Sequence, residues 1–97
     1  MIYEVTIPSY TGEEEQVMTT AICGNIILSF TFYWYDEQWY CKIVNENNSR
    51  SRSFTLRSNA IYFTNDAIYS VSFPPFTMHK DLLANLTFEV INHAEEN

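Results

Sequence analysis

The stretch IILSFTFYWYDEQWYCKIVN, residues 26–45, decides the fold of this chain. Between residues 26 and 35, the even-numbered side chains are all large and apolar, and this period-two alternation is typical of a β-strand. The polar residues 36–38 interrupt the alternation, which resumes at residues 39–45. We therefore predict a β-hairpin whose first strand places Trp34 in the core.

The same alternation continues outward from the hairpin in both directions. Gly24 marks a tight turn before it, Asn65-Asp66 a turn after it, and Pro74-Pro75 ends a later strand because proline cannot donate to a ladder. We predict strands at residues 2–7, 17–22, 26–35, 39–45, 51–56, 59–64, 68–73 and 82–91. The chain is therefore predicted to be all-β: a single-domain antiparallel β-sandwich or small β-barrel of about six to eight strands. Residues 1–92 would form this domain, followed by a polar, frayed C-terminal tail at residues 93–97.

Composition and charge exclude several classes of protein. The chain has 97 residues, of which 46% are hydrophobic and 16% aromatic, which is too apolar for a disordered chain and enough for one core. Twelve acidic residues against five basic ones give a formal net charge of -7. Because sequence-independent nucleic-acid binding needs a cationic surface, nucleic acid is not expected as the main partner.

Neither an export signal nor a membrane anchor is expected. The first basic residue is Lys42, and the longest apolar-leaning run, residues 26–35, is far shorter than the roughly 20 residues that span a bilayer. Cys23 and Cys41 could form a disulfide, belong to a metal site or remain reduced core thiols. We favour reduced thiols, since no export signal and no His/Cys pair at ligand spacing accompany them.

The sequence shows no convincing catalytic or metal site. His79 has Asp81 nearby, but no nucleophile motif accompanies them, so a solvated loop histidine is the better interpretation. The acidic run Glu13-Glu14-Glu15 lacks the ligand spacing of a calcium loop, which favours a solvated loop or an electrostatic docking site. We predict a protein that is not an enzyme, with no catalytic residues, no metal and no cofactor.

Charge is unevenly distributed along the chain. Residues 1–41 contain six acidic residues and no basic one, whereas residues 42–57 contain four basic residues and only one acidic one, Glu46. Folding could intersperse these blocks. The alternative is a contact between neighbouring subunits, repeated around a ring, in which basic and acidic surfaces meet. The residues predicted for that contact are Arg50, Arg52, Arg57, Glu13, Glu14 and Glu15.

Aromatic residues support the same view. Tyrosine is common in β-sheets and is also enriched in protein–protein interfaces. The tyrosines that could lie partly on outer strand faces are Tyr33, Tyr35, Tyr40, Tyr62 and Tyr69. Among the aromatic residues of the chain, we predict Trp39 or Tyr40 at a subunit contact. The alternative function is a β-sandwich binding module for carbohydrate or peptide that uses exposed Trp39 and tyrosines as a stacking platform.

The order of these features resembles a known family. Gln16-Val17-Met18, then Ile22-Cys23-Gly24, an aromatic strand ending Tyr33-Trp34-Tyr35, and Trp39-Tyr40 after an acidic turn resemble the small baseplate plug proteins of contractile-tailed bacteriophages. The resemblance covers residues 2–64. The sequence departs from the family pattern in its second half, where the expected turn glycine near residues 47–52 and a late glycine after the prolines are missing.

The resemblance implies a structural protein of the virion. A member of this family would be a non-enzymatic plug or adaptor in the viral tail or baseplate, made in the host cytoplasm. Its partners would be the tail hub, the spike and the end of the tape-measure protein, and it would form a homo-oligomer there. The family supplies no catalytic residues.

Overall fold

The computed structural model describes residues 1–8, 10–64 and 68–95, and it confirms the predicted all-β fold. Within these residues the strands are β1 (Ile2–Thr6), β2 (Gln16–Cys23), β3 (Ile26–Tyr35), β4 (Gln38–Asn45), β5 (Ser51–Thr55), β6 (Ile61–Phe63), β7 (Tyr69–Ser72) and β8 (Thr87–Asn92). Two short 3-10 helices, Lys80–Asn85 and His93–Glu95, are the only helical segments of the described chain. The turn predicted at Asn65-Asp66 lies outside the described residues.

The strands form two four-stranded antiparallel sheets that pack as a sandwich. The first sheet has the order β1-β8-β7-β6, and the second sheet is a meander in the order β2-β3-β4-β5. In the first sheet β8 lies between β1 and β7, which joins the two ends of the chain in one ladder. The sequence left a sandwich and a barrel open, and two separate sheets identify the sandwich.

An aromatic cluster fills the centre of the sandwich. Phe30 and Phe32 of β3 lie edge-on to Phe88 of β8, with ring centroids 5.1 and 5.9 Å apart. Phe73 stacks on Phe88 at 4.9 Å, and all four rings are buried. Since burial of one Phe side chain contributes about 1.5–3 kcal/mol, these four rings stabilise the packing of one sheet on the other.

Tight turns set the register of the second sheet. Gly24, with a φ of +69°, begins the turn between β2 and β3 and adopts a conformation that other residues resist. Asp36 and Glu37 join β3 to β4 with φ angles of 51° and 61°, the signature of a type I′ hairpin turn. This turn places Trp34 directly opposite Trp39, and it confirms the predicted hairpin.

The strand predicted at residues 82–91 is wrong in its first half. Lys80–Asn85 is a 3-10 helix, and β8 begins at Thr87. Leu82 and Leu83 are neighbours in sequence and are both buried. A strand would direct them to opposite faces, whereas a helical turn buries both.

Secondary structure continues into the segment predicted as a polar tail. His93–Glu95 forms a 3-10 helix. The His93 amide donates to the Ile68 carbonyl at 2.9 Å, and the Tyr3 hydroxyl donates to the Glu95 carboxylate at 2.7 Å. This last bond raises the pKa of Tyr3 to about 12, because the neutral hydroxyl is the form that can donate. Residues 96 and 97 lie outside the described residues.

Both cysteines are buried and unpaired, as the reduced-thiol interpretation requires. Cys23 lies on β2 and Cys41 on β4, with β3 between them, so the strands alone separate them by about 9–10 Å. That separation is beyond the reach of a disulfide. Burial raises the pKa of Cys23 to about 11, with a further contribution from Glu95, and burial also raises the pKa of Cys41.

Candidate interaction surface

The acidic run Glu13-Glu14-Glu15 lies in the loop that leads into β2. The Glu14 carboxylate accepts hydrogen bonds from the amide of Thr11 at 3.0 Å and from its hydroxyl at 2.9 Å, and these bonds lower the pKa of Glu14. A carboxylate oxygen of Glu15 lies 3.9 Å from the Lys80 ammonium. Because both ends of this ion pair are open to solvent, it contributes little to stability. The run is a solvated loop, and a docking role for it stays a prediction.

The three predicted arginines lie on β5 and its flanks. Arg50 precedes the strand, Arg52 is part of it and Arg57 follows it, and all three are exposed. The Arg52 guanidinium lies 5.7 Å from the centre of the Tyr62 ring. Its register partner Ile43 is buried, so Arg52 projects on the inner side of an edge strand, where a charge discourages pairing with another sheet.

Acidic and basic groups lie at opposite edges of the second sheet. The acidic run adjoins β2 at one edge, and the arginines follow β5 at the other. Three strand spacings, about 14 Å in total, separate the two edges. The structure therefore does not bring these groups together within one molecule, and the predicted contact between them requires a neighbour.

The assignment of Trp39 to a surface is wrong. Trp39 is 0% exposed, and its indole N–H donates to the carbonyls of His79 and Lys80, both at 3.2 Å. The Tyr10 ring covers it edge-on at 5.8 Å. Two segments distant in sequence thus bury the Trp39 side chain, which the hairpin alone would leave exposed at its end. Trp34, predicted as core, is only half-buried and packs edge-on against Trp39.

The tyrosines divide between the two faces of their sheets. Tyr33 and Tyr40 are cross-strand partners on the outer face of the second sheet, stacked with ring centroids 5.3 Å apart, and Tyr35 is exposed beside them. Tyr62 and Tyr69 point inward instead, which corrects their predicted outer position. Of the predicted aromatic contacts, Tyr40 remains accessible on a sheet face.

The outer face of the second sheet is almost free of charge. Lys42 is its single charged residue across β2–β5, all of which the structure describes. Its exposed large apolar side chains are Met18, Ile22, Ile27, Tyr33 and Tyr35. Ile22 and Ile27 are direct cross-strand partners, so the apolar surface continues from one strand to the next. We call this surface the uncharged face.

The edge strands of the two sheets meet at two sides of the sandwich. On the side formed by β5 and β6, Phe54 stacks on Tyr62 with ring centroids 3.8 Å apart, and the Tyr62 hydroxyl donates to the Thr55 carbonyl at 2.7 Å. We call this the closed side. On the side formed by β1 and β2, a groove of about 370 Å³ runs between the strands and is lined chiefly by residues 3–6 and 19–23. We call this the open side.

The two histidines lie in different surroundings. His79 is exposed next to the Lys80–Asn85 helix. Ser70 Oγ lies 3.0 Å from His93 Nε2, a pair that the sequence did not indicate, but Ser70 is only 1% exposed. A substrate could not reach that hydroxyl without local opening, so the pair anchors the end of β8. Among the described residues, no group of three or more His, Cys, Asp and Glu side chains could hold a metal ion.

Comparisons of the chain with protein-family models, curated proteins and solved structures find no match. Neither of the two 3-10 helices in the described residues has the length and apolar character that a membrane-spanning helix needs.

Sequence reasoning missed the free edge of β2, although a signal for it was present. The strand QVMTTAIC, Gln16–Cys23, contains no charged residue and no proline, the two devices that usually protect an edge. The sequence alone does not show the strand order. Because β1 pairs with β8 rather than with β2, one edge of β2 is left free.

Proposed function

We propose that this protein is a non-enzymatic structural subunit that binds other proteins through the uncharged face. The observation that carries this proposal is the contrast between that face, which has one charged residue, and a chain whose net charge is -7. Exposed apolar side chains on a face with so little charge mark interaction sites on soluble domains. Aromatic and methionine side chains are enriched in such interfaces, and acidic side chains are depleted.

The geometry of the face suits a broad, flat contact. Ile22 and Ile27 form one apolar pair near the turn at Gly24, while the stacked Tyr33 and Tyr40 lie toward the opposite end of the strands. The rings hold each other in place, so a partner that covers them pays little further side-chain entropy. A partner that spans both ends would bury most of the exposed apolar area.

Within this class we propose a component of a bacteriophage tail or baseplate, a plug or adaptor near the hub, the spike and the tape-measure protein. The resemblance over residues 2–64 supports this assignment. A small β-domain with a dedicated contact face and charges of opposite sign at opposite edges is also suited to repeated head-to-tail contacts in a ring.

The virion assignment can be tested by mass spectrometry of purified particles of the phage whose genome encodes this chain. We expect the protein in the particles, and its absence from intact particles would overturn the assignment. Particles made with Tyr35→Lys should lack the protein or hold much less of it, because the charge falls on the uncharged face. Phe63→Lys is the matched control, an exposed aromatic on the outer face of the first sheet.

Salt dependence tests the predicted contact between arginines and acidic residues. Reversal of Arg52 and Arg57 to Glu should weaken assembly at low salt, and high salt should reduce the difference, since exposed charges are screened. Assembly that is unchanged at low salt would contradict docking through these charges.

A binding module for carbohydrate or peptide is the second candidate. Burial of Trp39 removes its main predicted residue, but the stacked pair Tyr33 and Tyr40 with exposed Tyr35 still forms an aromatic platform. This second function predicts a change in tyrosine fluorescence when the ligand is added, and Tyr35→Ala should reduce that change. A subunit that assembles only with proteins would show no such change with an oligosaccharide panel.

A further inference from the structure

We propose that two copies of this chain pair along the free edge of β2, so that the second sheets of both molecules become one continuous antiparallel sheet. This inference goes beyond the proposed function, because it adds a contact at the edge of β2, beside the uncharged face, and names a second copy as the partner.

The free groups of β2 identify the occupant as a β-strand. The Trp34 amide donates to the Glu15 carbonyl at 2.8 Å, which fixes the odd-numbered residues as the ones that bond to β3. The even-numbered residues therefore direct their N–H and C=O groups away from the sheet. No backbone hydrogen bond joins β2 to β1 in the part of the chain that the structure describes. Alternating donors and acceptors at strand spacing are satisfied by another strand.

The sequence of β2 is complementary to itself. In an antiparallel pair with a two-fold axis at Thr20, Met18 of each copy lies opposite Ile22 of the other, and Thr20 lies opposite Thr20. Apolar pairs and Thr–Thr pairs both stabilise neighbouring strands. Met18 is 66% exposed and Ile22 is 72% exposed in one molecule, so pairing covers side chains that solvent now surrounds.

Hydrogen bonding favours the same register. Met18, Thr20 and Ile22 all belong to the even-numbered set, so each would exchange two hydrogen bonds with its opposite residue, about six bonds in total. A shift of the register by two residues places Met18 opposite Thr20 and loses the apolar pairs. A shift by one residue would place even-numbered residues, whose backbone groups are free, opposite odd-numbered residues, whose backbone groups already bond to β3.

The paired segments themselves bring no charges together, although the chain carries -7 and the Glu95 carboxylate lies beside Gly24, at each end of the joint. Residues 16–23 are uncharged. In the proposed register Glu15 would lie beside Asn25 of the second copy, and the two acidic runs would lie at opposite ends of the joint. The other edges are less suited: β1 carries Glu4, β5 carries Arg52, and β6 has three residues.

Light scattering after size-exclusion chromatography of the purified chain, from low to high micromolar concentration, tests the inference. We expect a concentration-dependent dimer with slowed amide exchange at Met18, Thr20 and Ile22. Thr20→Lys places two like charges on the axis and should raise the dissociation constant at least about tenfold at low salt. Ser29→Lys is the matched control, since Ser29 lies opposite Thr20 on β3, on the same face but one strand away from the joint. It should change the constant less than about threefold.

Mixing gives the sharper test. Thr20→Lys and Thr20→Glu should each be monomeric alone and should form a dimer when combined, because opposite charges then meet at the axis. A monomer at every concentration, an equal effect of Thr20→Lys and Ser29→Lys, or no rescue on mixing would overturn the inference. These results use the isolated chain, so they are separate from the presence of the protein in phage particles, which tests the proposed function.

Discussion

The closed side and the open side of the sandwich share one architecture, because each places an edge strand of one sheet beside an edge strand of the other. Their side chains differ. The closed side joins its sheets through the Phe54–Tyr62 stack, a hydrogen bond from Tyr62 and the cation above its ring. The open side has a groove in the same position. One pair of edges is used for stability, and the other keeps backbone groups available to a partner.

The largest expected effect is the loss of Tyr62 from the closed side. Tyr62→Ala removes the stack on Phe54, the edge contact with Phe73 and the hydrogen bond to Thr55, and should lower the free energy of unfolding by about 3 kcal/mol. Urea denaturation measures this effect. Tyr62→Phe keeps the ring and should cost about 1 kcal/mol. On the open side, Thr20→Ala should change stability by less than about 0.5 kcal/mol. A loss below about 1 kcal/mol for Tyr62→Ala would contradict this division between the sides.

The contrast between the sides also shows what the sequence could predict. The hairpin at residues 26–45 was predicted with the correct bounds for β3, because ten alternating residues fix both a strand and its inner face. Tyr62 was placed wrongly because β6 has only three residues, too few for alternation to indicate which face is buried. The pairs that define the closed side join residues from different sheets, which local patterns do not report.

The candidate surface was predictable only in part. The buried position of Trp39 depends on Tyr10 and on the carbonyls of His79 and Lys80, which come from distant segments. The charge blocks were visible in the sequence, but their positions at opposite edges follow from the strand order. The free edge of β2 depends on β8 pairing with β1, which among the described residues is the strand pairing with the longest sequence separation.

The second effect compares one buried thiol from each side. Cys23 lines the groove of the open side, whereas Cys41 is the register partner of Phe54 on the closed side. Folding raises the pKa of Cys23 from its ordinary value of 9.0 to about 11, so the native state holds a proton that the unfolded chain releases. Its contribution to stability is complete below pH 9 and is lost as the pH rises toward 11. The slope is at most about 1.4 kcal/mol per pH unit for one proton.

Urea denaturation between pH 8 and about 10.5 measures this loss. Cys23→Ala should have a shallower decline above pH 9 than the parent chain. Cys41→Ala should do the same, since burial also raises the pKa of Cys41. Slopes are compared rather than absolute stabilities, because each substitution also removes packed atoms. If both variants decline as steeply as the parent, buried thiols do not account for the alkaline loss.

The smallest effect separates the two strands of the open side. Glu4 of β1 lies directly opposite Glu89 of β8, and both are exposed, so two like charges face each other across the ladder. Facing like charges destabilise a sheet, and Glu89→Lys should therefore raise the free energy of unfolding by about 0.5 kcal/mol at low salt. The double variant Glu4→Lys, Glu89→Lys restores like charges and should lose that gain, which a double-mutant cycle in urea measures. A gain that persists in the double variant would mean that the change in net charge, and not the cross-strand pair, is responsible. If the cycle holds, Glu4 keeps an edge charge on β1 at a measurable cost in stability, while β2 beside it has none. That difference is the reason to expect a second chain on β2 and not on β1.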